Sequence, residues 1–495
     1  MTRGRGLGEL ALLCAGVFLG ALDQTVVVSA LPAMIRELQI PFTQLDRASW
    51  IVTGYLLGYT AALPLAGQLA DVLGPRRAYG VGLVLFFAGS VGCAAAPGLW
   101  PLVVARLVQA AGGGALVPAA LAAASGISIT RLTASGVALG AVTAVAEAGS
   151  MLGPLYGAIV AERFGWRAIF WLNLPIVALL AAGVGMRWRR RAAAGDGELT
   201  GAALSRIDWR GAAIAAAGLG ALTLALSDEA RRPRPMAITA GLCAAAVLLL
   251  TWFVLHERRA SSPLLDVRLF RRAAFSAAGV VGVLSGAALI VPMVNVPLWA
   301  QTVAGRTTLD SGLLLLRLTV PIPVGAALGG LLLRRIGARA CAALGLTCAG
   351  VGLALMGQWP TQPSDLRLSR DLALAGLGFG MIVPPLTAAA IGAAGPGLAG
   401  AASAVVTLAR MIGMMIGLAA LTTWGLRRFD ALARGLPFPV PQVGENAAAY
   451  PARLASYQQQ IVDATLTVYH DVFLAAAAIA GAALAPVLWL VIRRR

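Results

Sequence analysis

Asp23, Arg106, Glu147 and Arg410 each stand deep inside a long apolar run of this 495-residue chain. A charge at bilayer depth costs several kcal/mol (roughly 2.5–3.5 on insertion scales), so each needs a partner or a task. Asp23, Glu147 and Arg410 lie half to two-thirds of the way along their runs, so they can share one depth. Two carboxylates facing one guanidinium carry a unit negative charge when all are ionised, and one proton makes the group neutral, which burial favours. Such carboxylates titrate as a unit, so neither is named as the carrier. The chemistry on offer is reversible proton binding; the rival is a static ion-pair network stapling helices together.

The residues around this trio set how it is held. Glu147 sits in GAVTAVAEAGSMLGPLYG (Gly140–Gly157), inside a run from 135 to 160 that is long enough to cross a bilayer. Gly149, Gly153 and Gly157 at spacing four let another helix approach, and Pro154 frees a carbonyl that a neighbour or cavity must satisfy. Arg106 has Gln109 one turn on, on the same face; the plain account is an arginine that snorkels to the nearby interface or bonds backbone carbonyls. Arg317 has no assignable counterpart and is a candidate to line an outer vestibule or to pair with an acidic group not identified in the sequence. Asn295 and Gln301 are candidates for substrate contact, against the simpler reading of interhelical hydrogen bonds. His256 and His470 lie at run edges and suggest no metal site. The five cysteines fall in or beside apolar runs, an odd count with neither disulfide framework nor metal spacing.

The elements that position these residues follow from composition. The chain is 59% hydrophobic and 12% charged, about half the charge of a soluble protein. It is therefore an all-α polytopic membrane protein. Fourteen spans are predicted, at 8–30, 48–69, 78–96, 100–123, 135–160, 168–186, 209–227, 236–255, 274–299, 310–333, 338–358, 371–392, 398–424 and 470–492. The first has a basic start, Arg3 and Arg5, but runs on through Val28 and is expected to be a retained span. A net charge of +18 comes from 39 arginines without a single lysine. Most sit in short loops, which argues against nucleic acid as partner. With the N-terminus inside, 22 arginines are cytoplasmic and 14 are outside, placing both termini in the cytoplasm.

The chain also repeats itself. Gly67-Gln-Leu-Ala-Asp71-Val-Leu-Gly74-Pro-Arg76-Arg77 follows span two, and Gly330-Leu-Leu-Leu-Arg334-Arg-Ile-Gly337-Ala-Arg339 follows span ten. Both show glycines seven apart and an arginine two beyond. Two six-helix halves, 1–190 and 273–495, account for this, with a linker and two inserted helices at 191–272. Repeats of this kind put a substrate path between the halves. Residues 187–208 form a charged linker. Residues 425–467 form a long outer loop containing Pro437, Pro439 and Pro441 and a candidate amphipathic helix around 453–462.

The motifs LDQTVVVSALP (Leu22–Pro32), GQLADVLGPRR (Gly67–Arg77), RLVQAAGGG (Arg106–Gly114), GSMLGPLYG (Gly149–Gly157) and WRAIFWLNLP (Trp166–Pro175) resemble, in order and spacing, the major facilitator superfamily and its fourteen-helix drug:proton antiporter branch. Within it, SWIVTGYLLGY (Ser49–Tyr59), Glu147 with GSMLGPLYG, and Val405–Leu426 resemble mycobacterial multidrug and triacylglyceride exporters that work with a periplasmic lipoprotein. The resemblance implies a major facilitator fold, proton coupling through Asp23, Glu147 and Arg410, and a relay role for Arg106 and Gln109. It implies an inner-gate latch at Gly67, Asp71, Gly74, Arg76 and Arg77, and an antiporter signature at Gly149, Gly153, Pro154 and Gly157. A basic turn alone accounts for the arginines of that latch but not for Asp71. The second copy has Arg334 in place of Asp71, so that half is expected to lack an acid latch.

The expected activity is proton-coupled export of hydrophobic or amphiphilic molecules, drugs or lipids, from the cytoplasmic membrane by alternating access. It is not an enzyme and needs no cofactor beyond the proton gradient. Membrane lipids and an extracytoplasmic lipoprotein are the expected partners. An uncoupled lipid or metabolite facilitator and a flux-free scaffold or sensor are the rivals. A self-contained ATP-driven pump is set aside because no GxxxxGK loop occurs.

Overall fold

The computed structural model describes residues 3–39, 50–125, 134–192, 207–226, 235–260, 263, 267–306, 308–395, 398–436, 438–440 and 449–492. Arg131, Arg231–Arg234, most of the 187–208 linker, Pro437, Pro441 and Arg493–Arg495 lie outside them. The described residues are helical almost throughout, because a chain this apolar must satisfy its backbone groups within each segment when it crosses lipid. The helices are α1 (Arg3–Glu37), α2 (Trp50–Val72), α3 (Pro75–Ala95), α4 (Leu99–Ser125), α5 (Ala134–Phe164), α6 (Arg167–Ala192), α7 (Trp209–Leu226) and α8 (Met236–Glu257). They continue as α9 (Ala273–Thr302), α10 (Thr308–Thr319), α11 (Pro321–Met356), α12 (Asp365–Ala394), α13 (Ala399–Ala433), α14 (Ala449–Ala482) and α15 (Leu484–Ile492).

Among the described residues, 12 helices are long and apolar enough to cross a membrane. The expected count of fourteen is not confirmed by these twelve. The tenth and eleventh expected spans fall within one stretch, Asp310–Met356, and α7 is helical but is not among the twelve. The segment expected as a long outer loop at 425–467 is helical over much of its described length, and the helix expected around 453–462 lies within α14. Helix α13 runs 35 residues, to Ala433, and α14 starts at Ala449 and runs 34. Each is about 50 Å long, against a hydrocarbon core of about 30 Å. Their projecting ends are tied by Arg428 to Asp471 at 3.0 Å and by the Phe438 and Tyr457 rings, whose centroids lie 5.5 Å apart.

The repeated segments share a backbone device. Gly74 has φ 83° and Gly337 φ 80°, and each reverses the chain between antiparallel helices. A side chain in that left-handed region is costly, so the two glycines of the sequence repeat have one physical cause. Apolar cores form on either side of the chain's middle. One draws on residues between Leu269 and Val487, the others on residues between Leu10 and Val184. In the first part α1 packs on α5, and α2 and α3 pack on α4; in the last part α11 packs on α12 and α14, and α9 on α13. The two parts meet where α5 lies against α11 and α12, and where α13 lies against α2 and α4. Helices α7 and α8 pack on one another, and α7 packs on α2. Much of α8 faces outward, with Met236, Val247, Leu248 and Trp252 exposed.

Replacing Gly74 or Gly337 by alanine is expected to cost about 1–2 kcal/mol at each turn and to lower the thermal midpoint in detergent. Gly80→Ala is the control, since it is helical and an added Cβ meets nothing within 4 Å. It should leave the midpoint unchanged or raise it.

Candidate functional site

The Arg410 guanidinium of α13 is ion-paired with the Glu147 carboxylate of α5, joining the two parts of the chain. The pair borders a cavity of about 770 Å³. Among the described residues lining it, Glu147 and Arg410 alone carry charge; Met151, Met293, Met411, Met414, Leu289 and Leu386 supply much of its wall. Thioether side chains suit variable apolar cargo because they repack at low cost. Small residues bring the helices together here. A Cβ on Gly286 would strike the Arg410 carbonyl, and one on Gly149 would sit 2.5 Å from the Phe18 carbonyl of α1. A Cβ on Gly153 would strike Thr25 Oγ1, whose hydroxyl donates to the Ser150 carbonyl at 2.8 Å. Gly149 and Gly153 thus form a close α1–α5 contact, Gly157 is buried, and Pro154 lines the cavity.

The structure divides the expected trio. Asp23 is fully buried and does not pair with Arg410; its partner is Arg106, whose Nη1 donates to Oδ2 at 2.5 Å. Gln109 Nε2 and Asn173 Nδ2 both donate to Asp23 Oδ1 at 3.1 Å, and Arg106 Nη1 also reaches Gln109 Oε1 at 2.8 Å. The Arg106 guanidinium lies 4.1 Å from the centroid of the Tyr55 ring, a favourable cation–π placement away from water. Arg106 therefore does not snorkel: it is 0% exposed and engaged. The physical reason for the division is that two guanidiniums were available. Each carboxylate has its own, so neither needs to share, and two neutral pairs replace one charged trio. Asn173, inside the quoted WRAIFWLNLP, and Tyr55 completed this network without being singled out. An amide in an otherwise apolar span was the available signal for Asn173.

At the end of the bundle where α1 begins, Asp71 accepts from the Gly400 and Ala401 amides at 2.7 and 2.8 Å. These are first-turn donors of α13 with no intrahelical acceptor, at the positive end of its dipole. Gly67 packs onto the same turn, where an added Cβ would sit 2.9 Å from Ala401 Cα. Arg76 pairs instead with Glu9 of α1, Nε to Oε1 at 2.7 Å, a partner not foreseen. In the second copy Arg334 is exposed, and the matching close approach is glycine on glycine: a Cβ on Gly140 would sit 2.8 Å from Gly330 Cα. The cavity lies beyond these contacts, toward the opposite end.

The three candidate substrate-path residues are not part of the cavity wall. Asn295 Nδ2 donates to Val291 O of its own helix at 2.9 Å, and Gln301 is exposed. Arg317 is held at the far end by Asp365, Nη1 to Oδ1 at 3.1 Å, which also takes Arg306. Arg317 stands between the cavity-lining Leu316 and Thr319 but is turned to Asp365 of α12, and Asn295 and Gln301 follow Met293, the last described residue of α9 in the cavity wall. Among the described residues no cluster of His, Cys, Asp and Glu could hold a metal ion.

The model of the Major Facilitator Superfamily matches residues 13–418. A triacylglyceride transporter of Mycolicibacterium hassiacum is 37% identical over 475 residues, covering 92% of this chain and 86% of that protein. A triacylglyceride transporter of Mycolicibacterium smegmatis is 35% identical, covering 95% and 84%. A triacylglyceride transporter of Mycobacterium tuberculosis is also 35% identical, covering 91% and 89%. Among solved structures, a proton:xylose symporter superposes with a TM-score of 0.58 at 14% identity, covering 97% of this chain and 95% of that one. A human organic anion transporter superposes with 0.55 at 16% identity, covering 96% and 99%. These two share the fold.

Removing one member of the buried Asp23–Arg106 pair leaves an uncompensated charge, at about 3–5 kcal/mol. Arg106→Leu is expected to lose yield and thermal stability sharply, and Asp23→Leu/Arg106→Leu to recover part of the loss. Thermal unfolding in detergent checks this; equal loss in the single and double variants would contradict the pairing.

Proposed function

Within the Major Facilitator Superfamily, to which this chain belongs, we propose that it is a proton-coupled exporter of neutral lipid and other apolar or amphiphilic molecules. That it is a membrane transporter follows from the family and from its transporter relatives. The finer reading is carried by one observation: the Glu147–Arg410 pair joins the two halves inside a mainly apolar cavity. Most of the wall is apolar, with polar side chains such as Gln24, Thr143, Ser285 and Thr407 set among the leucines and methionines, which suits amphiphilic cargo. Three relatives named as triacylglyceride transporters support lipid as the cargo.

The cycle follows from charge and geometry. With the arginine-rich side in the cytoplasm, the Asp71 end is the inner end and the cavity belongs to an outward-facing state. Glu147 is then ionised and paired with Arg410. A proton arriving from outside neutralises Glu147, removes the attraction that joins α5 to α13, and frees the halves to rock about the cavity. Asp71 releases the α13 amides and the inner end opens. The proton leaves to the cytoplasm, cargo enters, and the renewed ion pair draws the halves back. Asp23 with Arg106 forms the second protonation site, inside the first half, and Gln109 and Asn173 hold its geometry. A tenfold proton gradient supplies about 1.4 kcal/mol per proton. The projecting ends of α13 and α14 are the surface for an extracytoplasmic lipoprotein.

Vesicles loaded with a fluorescent amphiphilic dye or labelled triacylglycerol test the coupling. Efflux should follow an imposed pH gradient and fall at least about tenfold in Glu147→Gln and in Asp23→Asn. Transport that ignores the gradient would favour an uncoupled facilitator. Full activity in both variants would remove the coupling role altogether.

A further inference from the structure

Helix α2 is gripped from two sides. Tyr59, Leu63, Gly67 and Asp71, at spacing four, form one face and meet α13, the first two through Leu408 and Met411. On another face, Leu57 packs near Gly220 of α7, and Leu65 joins Ala212, Ala215 and Phe253 of the inserted pair. The second grip ends in a polar knot one turn short of Asp71. Gln68, only 4% exposed, accepts the Asp208 backbone N–H on its Oε1 at 3.0 Å. Asp208 Oδ1 in turn accepts the Gly211 N–H at 2.8 Å, capping α7. Its other oxygen, Oδ2, lies 2.8 Å from His256 Nε2 at the end of α8. Three helices and one turn therefore converge on the residue that directly follows Gly67.

We propose that the Gln68–Asp208–His256 knot positions the inner end of α2, so that the inserted helix pair braces the Asp71 contact and biases the protein toward closure at that end. This rests on the latch reading of Asp71. The reasoning is mechanical. Asp71 caps α13 only while the last turn of α2 stays in place, and that turn is the end of the helix, followed at once by the Gly74 reversal. Neighbouring side chains on the α13 face cannot hold it there once the halves part. The knot can, because α7 lies against α2 and scarcely against α13, and α8 in turn packs on α7. Gln68, Asp208 and His256 are thus positioning residues: they touch neither the cavity nor the latched amides.

The Gly400 and Ala401 amides report on this directly, since Asp71 is their acceptor and the first turn of α13 offers no other. Hydrogen–deuterium exchange of the full-length protein in lipid nanodiscs, followed on peptides covering 399–403, is the test. Asp71→Ala sets the rate of an uncapped turn. Gln68→Leu and Asp208→Ala should raise exchange about tenfold or more over wild type, toward that rate. Asp208→Asn keeps the cap on Gly211 and turns its amide N–H to His256, which accepts through Nε2 in the other tautomer, and should restore the wild-type rate. Wild-type exchange in Gln68→Leu and Asp208→Ala, with Asp71→Ala fast, overturns the brace alone. A wild-type rate in Asp71→Ala overturns the latch, and the brace with it. Equal acceleration in 341–356, a core segment remote from the knot, marks general unfolding and also overturns the brace.

Discussion

An ion pair in an apolar cavity can exist only while both partners are present and charged, and here the partners come from opposite halves. That constraint organises the rest of the molecule. Glu147 and Arg410 reach one another because glycines let α5 sit on α1 and α9 sit on α13, fixing both helices against their own halves. The cavity stays apolar around them, so their attraction is little screened. One proton cancels it. Few other single events could change the interaction between halves by so much.

The remaining polar groups serve that switch by being satisfied elsewhere. Asp23 and Arg106 are enclosed with Gln109, Asn173 and Ser90 in a network confined to the first half. The Asp71 cap works differently. It links the halves through helix-terminal amides, whose partial charge is fixed and does not titrate. In the proposed cycle, closure at the inner end therefore depends on where the last turn of α2 stands, while closure around the cavity depends on protonation.

Much of this was legible in the chain. Charges stranded in apolar runs named Asp23, Arg106, Glu147 and Arg410 before any coordinates, since lipid makes such residues expensive. The Gly74 and Gly337 repeat was visible because only glycine accepts that backbone cheaply. Pairing was the part that misled: depth along a span is readable, but rotation about the helix axis and the choice between two arginines are not. Equal depth placed Asp23 with Arg410, whereas packing gave it Arg106. The same blindness to rotation put Asn295 and Gln301 on the path. The 425–467 stretch read as a loop because its polarity ended the apolar run. A helix outside the bilayer needs no apolar run, so α13 and α14 simply continue. Glu9 went unnoticed as the partner of Arg76 because nothing local distinguishes it.

The most direct measurement is proton release when cargo binds. Purified protein in weakly buffered detergent solution with a pH indicator would be mixed with triacylglycerol or an amphiphilic dye. If Glu147 gives up its proton as cargo is taken, about one proton per transporter is released by linkage, and Glu147→Gln releases none. Cargo binding without any proton release by the wild-type protein, across the pH range where transport runs, would contradict the account.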